Sequence, residues 1–323
     1  MSIHEFSGVV NNYGARKVPF LFIVDFEMQR PLVFEVRELS SDRVLFNVDG
    51  VTNYANADRE RKRIKLAAFP PSFSDYKTKF DRVWSSLLYG DSYLTNLTIK
   101  SEVEAPCSLR EIFFMSAAKY KLWYDERFLV FSPETFVRIA NGSIYSYPMK
   151  GTIDASIPGA REKILNDAKE MAEHVTIVDL IRNDLSTVAD NVTVTKFRYV
   201  EEIRTMQKNL LQVSSEIQGK LSQGYEERLG DILVALLPAG SVSGAPKRKT
   251  IDIISAAEKE QRGYYTGVFG LYDGNTLDSG VMIRFLEKDG DKVYYRSGGG
   301  ITVQSVAENE YQEAIDKIYV PFD

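Results

Sequence analysis

Strand-like runs recur along this chain in blocks, and the stretches of helical period between them never alternate strictly with single strands. Residues 18–48 hold short apolar runs, Phe20-Leu21-Phe22-Ile23-Val24 and Val44-Leu45-Phe46, joined by polar turns, as strands do. Residues 93–102 read as a further strand, and residues 121–149 alternate around a turn at Asn141-Gly142. The last third is again strand-rich, with hairpin turns at Asp273-Gly274-Asn275 and Asp289-Gly290-Asp291. Helical spacing appears elsewhere. Ser74 reads as the N-cap of a stretch carrying Tyr76, Phe80, Val83, Trp84, Leu87 and Leu88 on one face, closed by Gly90. Ser108 and Glu111 have capping-box spacing ahead of a short helix to about Lys119. From Arg161 the period predicts one helix to about Leu185; two more follow over 225–237 and 246–258, and a last one carries Tyr311, Ala314, Ile315 and Ile318. This order predicts an α+β (α/β) fold with largely antiparallel sheets.

The bulk composition narrows the function. With 44% hydrophobic and 26% charged residues, 323 residues suffice for a sizeable core, as one large domain or about two. A net charge of -5 with no long block of one sign argues against nucleic acid or an anionic membrane as partner. Cys107 is the only cysteine, so no internal disulfide can form. The first ten residues lack a signal pattern, and no apolar run approaches the roughly 20 residues that span a bilayer. A cytoplasmic protein is expected. One cysteine and two histidines, His4 and His174, cannot build a structural zinc site. Acid–base chemistry is therefore expected on Asp, Glu, Lys or Tyr, with His174 a helix-face residue without a role.

Five features could carry chemistry, and each also has an ordinary reading. Gly240 to Pro246 is a small-residue loop ahead of a helix, with Pro246 at the first helical position; such a loop can hold an anion or simply turn the chain. Glu170 with Glu173, and Glu310 with Glu313, are carboxylate pairs at i,i+3 on two helices. They suit Mg²⁺, which takes one or two carboxylates plus waters, or they are two solvated acidic faces. Gly298-Gly299-Gly300 lets a ligand approach the backbone or makes a sharp turn. Arg284 in an apolar strand suits a carboxylate or faces outward. Lys150, between Pro148 and Gly151, is a nucleophile if its amine loses its proton, and otherwise a solvated lysine.

Taken together and in order, these segments resemble the chorismate-utilizing enzyme family, which includes anthranilate synthase component I, aminodeoxychorismate synthase component I, and isochorismate and salicylate synthases. The matching stretches are Gly90 to Tyr93 through Asn96-Leu97-Thr98, Ser132-Pro133-Glu134, Pro148 to Thr152, Ile177 to Leu185, Gly240 to Lys247, Gly298 to Ile301, and Glu310 to Glu313 with Lys317. The resemblance implies one chorismate-binding domain over 1–323, an antiparallel β-sandwich flanked by helices. Residues 1–72 would be a shortened β-rich part and 75–323 the catalytic core. By matched position it implies Glu173 and Glu313 as Mg²⁺ ligands supported by Glu310. Ser243, Gly244, Tyr265, Arg284, Gly298, Gly300 and Lys317 would bind substrate, and Lys150 and Glu134 would be catalytic.

Within the family, Lys150 stands where the aminodeoxychorismate branch carries its lysine and where anthranilate and salicylate formers tend to carry alanine. Leu94 stands where isochorismate and salicylate formers carry a water-activating lysine. Gln212 replaces the histidine usual in anthranilate synthases, and Asn96-Leu97-Thr98 looks like the aminodeoxychorismate branch. The resemblance thus implies conversion of chorismate and ammonia to 4-amino-4-deoxychorismate, toward para-aminobenzoate and folate. Anthranilate synthase component I is the runner-up, and an isochorismate or salicylate synthase ranks lower. A catalytically inactive scaffold has no use for Lys150, Glu134, Glu173 and Glu313 together. Cys107 is not in a glycine-rich nucleophile turn, so a separate glutaminase subunit is expected to supply ammonia.

Overall fold

Helix α1 (Ile3–Ala15) leads into strand β1 (Phe20–Val24), in which every residue is buried. The unbroken apolar run arises because both faces of β1 are covered: Phe20, Phe22 and Val24 pack with Phe6 and Val10 of α1, while Leu21 and Ile23 face the other way into a second cluster. The computed structural model describes residues 1–55, 64–203 and 209–321. Onward along the chain come β2 (Leu32–Glu35), β3 (Val44–Val48), β4 (Val51–Thr52), β5 (Ala67–Phe69), α2 (Phe73–Tyr89), β6 (Leu94–Glu104) and α3 (Leu109–Met115). Five strands follow: β7 (Tyr120–Tyr124), β8 (Phe128–Ser132), β9 (Thr135–Ala140), β10 (Ser143–Ser146) and β11 (Met149–Asp154). Then come α4 (Ala160–Asn166), α5 (Ala168–Ser186), β12 (Asp190–Ile203), β13 (Leu210–Lys220), α6 (Leu229–Leu236), β14 (Gly244–Ala245) and α7 (Lys247–Glu258). The chain closes with β15 (Val268–Tyr272), β16 (Leu277–Val281), β17 (Phe285–Asp289), β18 (Lys292–Ile301) and α8 (Ala307–Asp316).

Among the described residues the strands form two nine-stranded sheets. One runs β11-β13-β10-β9-β16-β15-β1-β2 with β12 added on β13; the other runs β14-β6-β18-β17-β8-β7-β3-β4 with β5 added on β6. Neighbouring strands pair antiparallel, as in Phe20↔Tyr272 and Gly298↔Thr98. The sheets face each other across a core of Leu21, Ile23, Phe46, Leu122, Val130, Phe269 and Phe285. Helices α1, α5 and α6 cover the outer face of the first sheet, and α2, α3, α7 and α8 pack on the second. The expected α+β sandwich flanked by helices is the observed architecture.

Several boundaries differ from the expectation. Residues 1–72 are not only β-rich: α1 begins at Ser2, whose capping box with Glu5 is formed. Its face reaches α6 where a Cβ on Gly230 would lie 2.3 Å from the Ser7 carbonyl oxygen, so only glycine permits the approach. The N-cap of α2 is Ser72, which accepts from the Asp75 amide, rather than Ser74. The helix predicted from Arg161 is two helices, because Asp167 leaves the helical conformation to cap α5 by accepting from Glu170. Helix α3 ends at Met115, short of Lys119, with its predicted capping box intact. Pro246 is the N-cap of α7 rather than its first residue.

Candidate active site

The two acidic pairs meet in space. Glu170 and Glu173 lie in the first half of α5, and Glu310 and Glu313 lie on α8. Lysines thread between them. Lys150 Nζ is 2.6 Å from Glu173 Oε2, Lys169 Nζ is 3.7 Å from Glu173 Oε1, and Lys317 Nζ is 2.6 Å from Glu313 Oε1. Burial works against the Lys150 charge, but Glu173, then Glu313 and Glu170, hold its pKa above the ordinary lysine value. Burial raises both Glu170 and Glu310. Burial also opposes ionisation of Glu313, yet Lys317 carries it below the usual glutamate value.

Lys150 reaches this cluster because of a β-bulge. Met149 pairs with Ser214 and Thr152 with Gln212, so three steps on β11 match two on β13. The extra residue re-aims the strand. Gly151 has φ +89°, and a Cβ there would sit 3.0 Å from Glu170 Oε2. Opposite, a Cβ on Gly299 would lie 3.5 Å from both Glu310 Oε2 and Glu313 Oε1, which keeps the strand close under α8.

The donor set suits a hard cation. The four glutamates offer only oxygen, and Glu170 Oε2 is buried without a hydrogen-bond partner. Among the described residues no three Asp, Glu, His or Cys side chains already converge on one point. Mg²⁺ needs only one or two carboxylates, with water or ligand oxygens completing its shell.

Glu134 sits between β8 and β9, partly buried, and accepts a hydrogen bond from the Ser241 hydroxyl at Oε1. Burial raises its pKa, against the lowering effects of Ser241, Arg284 and Lys317. Arg284 has φ +54° and lies over the Tyr319 ring, 5.3 Å from its centroid, with Nε buried and unpartnered. Tyr265 is buried beside Phe285, 5.7 Å between ring centroids, and burial pushes its hydroxyl up to about 12. A cavity of about 20 Å³ abuts Glu134, Ser241 and Asp184, room for about one water-sized molecule.

The loop before α7 is held from three sides. Lys247 Nζ is 2.9 Å from Asp184 Oδ2 and donates to the Leu236 carbonyl. Gly244, at φ +141°, pairs with Thr95 so closely that a Cβ would fall 1.8 Å from the Leu94 carbonyl oxygen. Ser243 is buried, and its hydroxyl is turned inward to the Ala239 carbonyl at 2.9 Å. Gly298 and Gly300 pair with Thr98 and Asn96, and Lys317 Nζ donates to the Gly298 carbonyl. Leu94 Cδ1 lies 2.9 Å from where a Cβ on Gly300 would stand.

The sequence reading gave no role to Ser241, Glu258, Arg262 or His174. Ser241 faces Glu134 from 107 positions away. Arg262 and Glu258 form an ion pair, each side chain 1% exposed, and Arg262 donates to the carbonyls of Val242 and Asn96. His174 is fully buried on α5, and burial, then Arg198, push it down to about 4. The i,i+4 separation of Glu258 and Arg262 is the one local signal of this pair; nothing local marks the carbonyls that Arg262 holds.

Close packing at Gly240 gives a direct prediction. A Cβ there would sit 2.7 Å from Asp184 Oδ2 and 3.2 Å from Leu180 Cγ. Gly240→Ala is expected to lower stability by about 1–3 kcal/mol through overpacking, read by urea unfolding. Gly8→Ala, with nothing within 4 Å on α1, should instead add about 0.5–1 kcal/mol. Equal effects at both sites would contradict the packing account.

Comparison with known proteins bears on this site. The chorismate binding enzyme family matches residues 24–323. An uncharacterized PabA-like protein of Pasteurella multocida is 49% identical over 322 residues, 99% of this chain and 99% of that protein. The aminodeoxychorismate synthase component 1 of Bacillus subtilis is 28% identical over 282 residues, 82% of this chain and 59% of the relative. The crystal structure of anthranilate synthase component I from Streptococcus pneumoniae superposes with a TM-score of 0.67 at 29% identity, covering 81% of this chain and 60% of that one.

Proposed function

Since the chain belongs to the chorismate binding enzyme family, we propose that it is the aminating component I of an aminodeoxychorismate synthase. It converts chorismate and ammonia to 4-amino-4-deoxychorismate and water. Overall similarity does not choose this branch, because an aminodeoxychorismate synthase relative stands at 28% identity and anthranilate synthase relatives at 31% and 38%. The observation that carries the choice is Lys150, which the β11 bulge directs into the carboxylate cluster 2.6 Å from Glu173.

The Lys150 amine, once deprotonated, adds to C2 of chorismate while the 4-hydroxyl leaves. Glu134 protonates that leaving group; its burial favours the proton-bearing form this role requires. Ammonia then adds at C4 and Lys150 is expelled, so one difficult displacement becomes two easier ones. Arg284, with an unpartnered Nε, and the backbone around Gly244, Gly298 and Gly300 meet the substrate carboxylates. Glu173 and Glu313 would hold Mg²⁺, with Glu310 in support, and the cation would supply positive charge to a substrate carboxylate. Leu94 offers hydrocarbon over Gly300 and cannot activate water, which disfavours isochorismate formation. Ammonia is supplied by a separate glutaminase subunit.

The deciding measurement is mass-resolved product analysis of the protein with chorismate, Mg²⁺ and ammonium at mildly alkaline pH. The expected product has the mass of aminodeoxychorismate and becomes 4-aminobenzoate when a lyase is added. Anthranilate would overturn the branch. Unchanged chorismate, with ammonium and with a glutaminase partner alike, would overturn the enzymatic reading.

A further inference from the structure

Strand β1 runs directly into a turn over residues 25–30. Asp25, 1% exposed, closes that turn by accepting the amides of Gln29 and Arg30. An Asp that bonds amides a few positions on holds its own turn rigid. The carboxylate of Glu27 is turned elsewhere. Its Oε1 accepts the Arg262 amide at 2.8 Å and its Oε2 the Gly263 amide at 3.0 Å, 235 and 236 positions along the chain. Each oxygen thus takes one of two successive amides in the segment after α7, and bonds to a carboxylate are stronger than those to a neutral acceptor. The Phe26 amide donates in return to the Gly263 carbonyl at 2.8 Å, and the Tyr264 hydroxyl donates to the Arg30 carbonyl at 2.8 Å. Phe26 also sets its ring against the Arg262 guanidinium, 4.7 Å from Cζ to the centroid.

This clamp holds the residue that ties the walls of the candidate site together. From a fixed backbone, Arg262 spreads its guanidinium over three elements: Glu258 on α7, the Val242 carbonyl of the loop before α7 at 2.9 Å, and the Asn96 carbonyl of β6 at 2.9 Å. Val242 immediately precedes Ser243 and Gly244, and Asn96 is the cross-strand partner of Gly300. Three positions beyond Arg262 stands Tyr265, buried. The far end of the segment is fixed by Gly267, where a Cβ would fall 2.1 Å from the Val24 carbonyl oxygen. A guanidinium whose main chain moves by an ångström cannot keep both carbonyls, because N–H···O bonds are confined to about 2.7–3.2 Å.

We infer that Glu27 is a positioning residue for chorismate: through Arg262 it fixes the spacing between the loop that carries Ser243 and Gly244 and the strand pair that carries Gly300. A side chain from the first 72 residues thereby shapes the site. The inference rests on the reading of that loop and those glycines as the surface that meets the substrate.

Two matched truncations test it. Glu27→Ala removes the acceptor of two successive amides. Asn11→Ala does the same far from the site, since Asn11 Oδ1 takes the amides of Gly230 and Asp231 between α1 and α6. Both should lower Tm. Only Glu27→Ala should raise KM for chorismate, about 10-fold, with kcat within a few-fold of the parent protein. Titration calorimetry with chorismate and Mg²⁺, without ammonium, should show the same weakening of about 10-fold. Glu27→Gln is near-isosteric, keeps one oxygen as acceptor, and should fall between parent and alanine; it carries the test if the alanine variant does not fold. Unchanged KM in the Glu27 variants, a loss confined to kcat, or a KM raised as much in Asn11→Ala refutes the positioning role. A parent protein that binds no chorismate refutes the proposed function and this inference with it, whereas equal binding by parent and Glu27 variants refutes only the role of Glu27.

Discussion

Lys150→Ala is expected to abolish amination at C4, lowering kcat by on the order of 10³-fold or more, as when a group that acts in the transition state is removed. Truncation also removes the nearer ion-pair partner of Glu173, so lost activity alone would not separate nucleophile from counter-ion. Lys150→Arg makes the separation. A guanidinium keeps the charge and can bond Glu173, but it does not deprotonate in proteins and cannot attack. Arginine should therefore restore the melting temperature toward that of the parent protein and leave turnover as low as alanine does. Steady-state kinetics with excess ammonium, beside thermal unfolding, read both quantities. An arginine variant with near-parent turnover would reduce Lys150 to an electrostatic role.

The largest effect on stability is expected at the ion pair behind the substrate loop. Arg262 and Glu258 are both 1% exposed and 2.7 Å apart. Glu258 also accepts from the backbone and side chain of Thr98. Arg262→Met would leave Glu258 charged and unpaired in the interior, at a cost of about 3–5 kcal/mol. Out of a typical total of roughly 5–15 kcal/mol, that is enough to unfold a large share of the molecules on mild heating. The double variant Arg262→Met/Glu258→Gln should recover part of the loss, because no buried charge is then left alone. Urea unfolding of the two variants measures the difference; a single variant no less stable than the double would contradict the account. The same arginine holds the Val242 and Asn96 carbonyls, so loosening it should also raise KM for chorismate.

How much of this was legible beforehand follows from how local each signal is. The hairpin turns at Asp273-Gly274 and Asp289-Gly290 and the Ser108–Glu111 capping box depend on residues within four positions, and all three formed as read. The long helix from Arg161 failed because its apolar period continues through Asp167, while that side chain caps the following helix instead. Ser2 and Glu5 ahead of α1 have the same capping-box spacing as Ser108 and Glu111, a local signal that marks this helix as well. The Ser243 hydroxyl bonds the Ala239 carbonyl, a contact that no local pattern marks.

The sequence by itself determined the α+β class, the antiparallel character, and which residue types stand at the candidate site, because these follow from periodicity, turn chemistry and ordered motifs. Only the tertiary structure decided what those residues face. Ser241 meets Glu134 across 107 positions, His174 meets Ser215 across 41, and Arg262 reaches Asn96 across 166. The aim of Lys150 depends on one extra residue in β11 against β13. Strand register is set by packing between segments far apart in the chain, and no window of neighbouring residues contains it.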